Sequence, residues 1–195
     1  MSLPTFERLQ RKDCLDQLAP VDYRWHPKID VCWDIRRGLP FRSGSIAGIF
    51  TEHCIEHLSL FAPDFGLNGP CSKLLIECRR VLRPGSIIRV VVPDARIYLG
   101  TYVQRTGGKA DKLFPYEPAG SDWLPILHVN RVFYDGRQFA GGHCTMFDFD
   151  LLAQVLTTAG FLDVKRKAFQ SGEDEMLLID SPGREPESIY IEATR

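Results

Sequence analysis

Apolar side chains in "CSKLLIECRRVL" recur with a helical period. Leu74, Leu75, Cys78, Val81 and Leu82 fall at i, i+1, i+4, i+7 and i+8 and share one face. The following "RPGS" ends that helix, since Pro84 and Gly85 suit the central positions of a type II turn. "IIRVVVPD" (87–94) is an almost continuous β-branched run, the pattern of a strand covered on both faces in a parallel sheet flanked by helices. "DFDLLAQVLTTAGF" predicts a second helix. Asp148 or Asp150 can cap it, Leu151, Leu152, Val155, Leu156 and Ala159 form its inner face, and Gly160 follows its end. "IAGIF" (46–50) reads as a short buried strand, and "VDY" (21–23) and "DVCWDI" (30–35) as two more. "LDVKRKAF" and "SIYIEATR" alternate and predict an antiparallel pair at one sheet edge. "ARIYLGTYVQ" reads as a helix, and residues 4–20 are weakly helical. The rest of 95–142, rich in glycine, proline and aromatics, reads as an irregular insertion covering one end of the sheet.

This order predicts one α/β domain over residues 1–195, with a doubly wound, mostly parallel sheet and a final antiparallel strand pair. Such sheets bind ligands at the carboxyl ends of their strands. The positions there are Asp22, Asp34, Thr51 to His53, and Asp94.

Composition narrows the function. A net charge of −1 lacks the basic excess of phosphate-tracking domains, so no nucleic-acid partner is expected. No apolar run approaches the ~20 residues of a membrane span, and no leader pattern opens the chain, so no membrane association is expected. Six cysteines without a C-x-x-C pair read as reduced thiols of a cytoplasmic protein.

"TEHCIEHLS" (51–59) carries His53, Glu56 and His57 as H-x-x-E-H, a pattern shared with a group of zinc peptidases. Two histidines four apart chelate zinc when both lie on one helical turn. A strand running to Phe50 instead puts His53 in the turn and His57 in a helix starting near Ile55. Glu77, the obvious third ligand, is explained by its own helix. No metal is therefore expected, and a zinc hydrolase is kept as an alternative only for the motif.

"DVCWDIRRGLPFRSGSIAGIFTEHCIEHLS", followed by "LLIECRRVLRPGSIIRVVVPD", resembles the middle of class I S-adenosylmethionine-dependent methyltransferases. The resemblance is to the small bacterial type-11-like group, in which an acidic residue, "LPF", a strand, "EHxxEHL", "RvLkPGG" and "vPD" occur in this order. The tail "GGHCTMFDFDLLAQVLTTAGFLDVKRK" and "ESIYIEATR" resembles the group's closing helix and strand pair, so the likeness covers about residues 21–195. It implies a seven-stranded Rossmann-like sheet and S-adenosylmethionine as cofactor. Asp22 matches the residue that accepts from both ribose hydroxyls, Asp34 the one that accepts from the adenine amino group, and Ile35 the residue packed on the ring. Thr51, Glu52 and His53 match the lining of the cofactor's methionine end, and the family's "EHxxEHL" holds no metal.

Methyl transfer from a sulfonium needs alignment above all, and a base only where the acceptor is a hydroxyl or acid. Asp94, His53 and His143 are the candidate catalytic residues; a helix cap for Asp94 and a plain loop position for His143 are the alternatives. Tyr98, Tyr102, Phe114, Tyr116, Trp123, Phe133 and Tyr134 would shape a pocket for a small-molecule or glycan-precursor acceptor, and a homo-oligomer is compatible with the sequence. The chain departs from the family at its start, with no glycine before Gly38, whereas the family's first strand ends in a glycine-rich cofactor turn. Gly48 stands where the family often has an acidic residue, and Ser86 replaces a glycine. An atypical first strand is thus expected, diverged, lost or encoded ahead of Met1. The competing reading is a catalytically inactive methyltransferase-like binding or partner domain.

Overall fold

The computed structural model of the chain describes residues 19–22, 25–64, 66–109, 111–118, 120–134 and 142–195. Most of the expected helical segment at 4–20, and Tyr23 of the expected first strand, lie outside the described residues. The elements are β1 (Val21–Asp22), β2 (Val31–Cys32), β3 (Ile46–Glu52), α1 (Pro70–Val81), β4 (Leu82–Pro93), α2 (Ala95–Thr106), α3 (Pro125–Tyr134), α4 (Phe149–Thr158), β5 (Leu162–Lys167) and β6 (Ser188–Thr194).

These strands form a mixed α/β arrangement. β1 and β2 pair in parallel as a two-stranded sheet, and the other four follow the order β3-β4-β6-β5. β3 and β4 are parallel, while β6 runs antiparallel to both β4 and β5. The expected antiparallel pair β5–β6 is present. The expectation of a mostly parallel sheet is corrected: β6 enters between β4 and β5, so the larger sheet has one parallel ladder and two antiparallel ones.

α1 forms where the apolar period placed it. Pro70 stands at its first position, where its missing N–H costs nothing, and Leu74, Leu75, Cys78 and Val81 are buried. α4 is capped by Asp148, whose side chain accepts from Leu151 N. Both helices pack on one face of the sheet, against Ile88, Val90 and Val92 of β4 and Ile189, Ile191 and Ala193 of β6. The Pro84–Gly85 turn is looped out within β4: Ile46 pairs with Leu82, but Gly48 pairs with Ile87, and Gly85 takes φ +76°.

The opposite face differs from the expected helical cover. Arg89 and Val91 of β4 alternate onto it, with Tyr190 and Glu192 of β6 opposite them. Fully buried Arg89 donates to Asp180 Oδ1 at 2.7 Å and Oδ2 at 2.6 Å, to Glu192 Oε1 at 3.0 Å, and to the Ser171 and Ala168 carbonyls at 3.1 Å. Thus residues 168–180, with a short 3-10 turn at Glu175–Leu177, are tied down by a buried charge network.

The region read as an irregular insertion is partly regular, because α3 forms within it. Its hydrophobic cluster joins Tyr98 of α2, Phe114, and Val129 and Phe133 of α3. Tyr98 and Phe133 meet edge to face at 5.9 Å. Gly100 lies inside α2, where an added Cβ would meet nothing within 4 Å. Gly100→Ala is therefore expected to stabilise the chain by about 0.5–1 kcal/mol, measured as a higher urea midpoint. No helix among the described residues is long and apolar enough to cross a membrane.

Candidate functional site

Three strands deliver side chains to one rim. Glu52, the last residue of β3, pairs with Val91, and Pro93, the last of β4, pairs with Ser188, the first of antiparallel β6. His53 N still donates to Val91 O at 2.9 Å, but His53 takes φ +47°, so the chain turns sharply there. The expected helix from Ile55 is corrected: Ile55–His57 is a single 3-10 turn, and α1 begins only at Pro70.

That turn holds Glu56 inside. Its side chain is 1% exposed, and neither carboxylate oxygen has a hydrogen-bond partner among the described residues. Burial pushes its carboxyl up to about 8. Imidazoles surround it. His53 Nδ1 lies 3.7 Å from Glu56 Oε1, His57 Nε2 3.9 Å and His143 Nε2 4.0 Å. The His57 and His143 rings meet edge to face with centroids 4.7 Å apart.

His143 arrives from a distant part of the chain and is fixed by backbone bonds. Cys144 N and Thr145 N donate to Glu56 O at 2.7 and 3.1 Å, and Thr145 Oγ1 donates to Leu58 O at 3.1 Å. His53 is held from its other side, sharing a 2.9 Å hydrogen bond between Nε2 and Ser188 Oγ. Burial, aided by Arg184 and the neighbouring histidines, lowers His53 to about 2. Burial and His57 lower His143 to about 4. Both rings are accordingly neutral near pH 7. Glu187 completes the surroundings: Arg184 donates to its Oε1 at 2.9 Å, and the Tyr98 hydroxyl donates to Oε2.

The other expected site residues separate into groups. Asp94 is buried with both oxygens used: Oδ1 accepts from Arg96 N at 2.8 Å, capping α2, and Oδ2 takes Arg166 at 3.0 Å. This is the capping alternative rather than a free base. Glu52 points to the face of residues 168–187, where Ser181 donates to it from both its amide and its hydroxyl, and burial raises its carboxyl. Thr51 alternates to the other face and bonds Cys54, whose thiol burial pushes up to about 12. Thr51 and Glu52 therefore point to opposite faces of the sheet.

Asp22 and Asp34 come from the paired strands β1 and β2. Asp22 is opposite Cys32, and Trp33 N donates to Asp22 O at 2.8 Å, so Asp34 follows at the same end of the pair. Asp34 caps the short 3-10 turn Ile35–Arg37, and Arg36 grips it with two side-chain bonds of 2.8 Å. Those bonds hold the Asp34 carboxyl at about 2. Ile35 packs on the main core. Glu77 of α1 fastens the next loop, accepting from Arg80 at 2.7 Å and from Leu39 N at 3.0 Å.

Sequence reasoning missed the grouping of Glu56 and His57 with His143, and it missed Glu187. Glu56 lay in plain view within H-x-x-E-H, but nothing local announces a partner on the far side of α1, β4, α2 and α3.

No protein-family model and no curated protein matches the chain. Solved structures similar to it include a SAM-dependent methyltransferase from Archaeoglobus fulgidus, at 18% identity and TM-score 0.42, covering 80% of this chain and 62% of that one. Another from Methanosarcina mazei is 15% identical with TM-score 0.43, covering 83% of this chain and 65% of that one. The Burkholderia thailandensis 1,6-didemethyltoxoflavin-N1-methyltransferase, solved with 1,6-didemethyltoxoflavin and S-adenosylhomocysteine, is 13% identical with TM-score 0.46, covering 90% and 59%. This chain thus spans about three fifths to two thirds of the length of those proteins.

Proposed function

We propose that this chain binds S-adenosylmethionine and transfers its methyl group to a small-molecule or glycan-precursor acceptor. The carrying observation is the pair Asp22, the last residue of β1, and Asp34, two residues past β2, at the same end of two hydrogen-bonded parallel strands. Two carboxylates so placed can accept from ribose hydroxyls and from an adenine amino group, with Ile35 as the apolar neighbour. Asp22 would hold the ribose, while Asp34 would have to share its oxygens with Arg36 to accept from the adenine amino group. The cofactor supplies an activated methyl, and the chain's part is alignment. Of the expected bases, His53 and His143 stand with Glu56 at the rim formed by β3, β4 and β6, whereas Asp94 accepts from Arg96 N and Arg166.

A second reading, a methyltransferase-like binding domain without catalysis, is favoured by the lack of glycine before Gly38 and by the Arg36 grip on Asp34. Calorimetric titration with S-adenosylhomocysteine separates the two. Saturable binding is expected, and Asp22→Asn should weaken it by about 10- to 100-fold, the value of hydrogen bonds to a charged acceptor. Absence of heat at high protein concentration would leave the binding-domain reading.

A further inference from the structure

We propose that Glu56, His57 and His143 form a binding site for a divalent first-row transition ion of the zinc class. One donor atom from each of the three lies within 4.8 Å of the others. A tetrahedral zinc site with bonds near 2.0–2.1 Å places its donors about 3.3 Å apart. The donors therefore need to close by at most about 1.5 Å around the ion. The second observation is Glu56 itself, buried with both oxygens unpartnered among the described residues. A carboxylate in that setting is costly unless a cation or donors meet it. His143 Nε2 is the atom turned to Glu56, and its Nδ1 is buried without a hydrogen-bond partner among the described residues.

Two imidazoles and one carboxylate suit a zinc-class ion, and three protein donors leave a coordination position open. The open position would lie on the side of His57, whose side chain is 34% exposed while that of Glu56 is 1% exposed. A water or an acceptor oxygen could bind there. The ligand set is not the His53–His57 pair that H-x-x-E-H would imply. His53 instead stands behind Glu56, oriented by Ser188. The site holds whether or not S-adenosylmethionine binds, because none of its donors comes from β1 or β2.

The test uses the untagged chain, stripped with a chelator and titrated with zinc chloride by calorimetry, with metal content read by mass spectrometry. One zinc per chain is expected, and cobalt(II) in its place should show the visible bands of a four-coordinate ion. Glu56→Gln and His143→Ala should each weaken zinc by about 10- to 100-fold or more. His57→Ala should do the same, and its partly exposed ring makes it the variant that stands in if either of the others fails to fold in a metal-free thermal melt. No zinc bound by the native chain at large excess overturns the site. So does zinc affinity left unchanged in folded variants, or cobalt bands that survive them.

Discussion

Arg89→Met is expected to lose about 3–5 kcal/mol of stability, seen as a large fall in the urea midpoint with the slope unchanged. The guanidinium has no exposed surface and serves five acceptor contacts on Asp180, Glu192, Ser171 and Ala168. Methionine fills similar space but leaves buried Asp180 without its cation and buried Glu192 with only the Lys167 ammonium, 3.6 Å away. Replacing Asp180 and Glu192 by leucine as well removes those charges, and in other buried ion clusters such wholesale replacement is neutral or better. Full recovery is not expected here. Asp180 also accepts from Gln170 N at 2.7 Å, and Glu192 from Glu173 N at 2.8 Å. The triple variant would orphan both amides, each costing about 1–3 kcal/mol. A triple variant as stable as the native chain would mean that the network does not hold residues 168–180.

Gly69→Ala is the second large loss, about 2–3 kcal/mol or more, although its φ of −67° suits any residue. The obstacle is space. An added Cβ would lie 2.6 Å from the Ser59 and Phe61 carbonyl oxygens and 2.7 Å from the Leu60 carbonyl carbon. All three are backbone atoms, and they are held close by the bonds from Gly69 N to Leu60 O at 2.9 Å and from Cys71 N to Ser59 O at 3.0 Å. No rotamer change relieves the clash, so the entry to α1 must move. For a chain of this length a loss of that size lowers Tm by roughly 2–4 °C per kcal/mol, which calorimetry resolves. An unchanged Tm would show that this crossing is soft.

α1 and α4 were legible because their apolar faces follow a 3.6 period and their ends carry local signals, Pro70 and Asp148. β4 was legible from its β-branched run, yet Arg89 in the middle of that run already marked one face as charged. The antiparallel partner β6 was legible as a strand but not as a neighbour of β4, since pairing order is set by packing of distant segments. α3 hid among prolines, glycines and aromatics because those residues mark its flanks and its inner cluster rather than a period. Of the candidate site, Asp22 and Asp34 could be placed at strand ends from their flanking patterns. The grouping around Glu56 depends on contacts across the fold and leaves no local trace.

The two amide bonds from Cys144 and Thr145 to the Glu56 carbonyl have a thermodynamic consequence. Thr145 and Leu58, joined beside them, are 87 positions apart, so the segment between them is a long closed loop. The entropy of closing it is spent when the chain folds, not when a guest arrives. An ion bound between His143 and Glu56 would therefore meet donors already brought together by the fold, leaving imidazole rotation as a remaining cost.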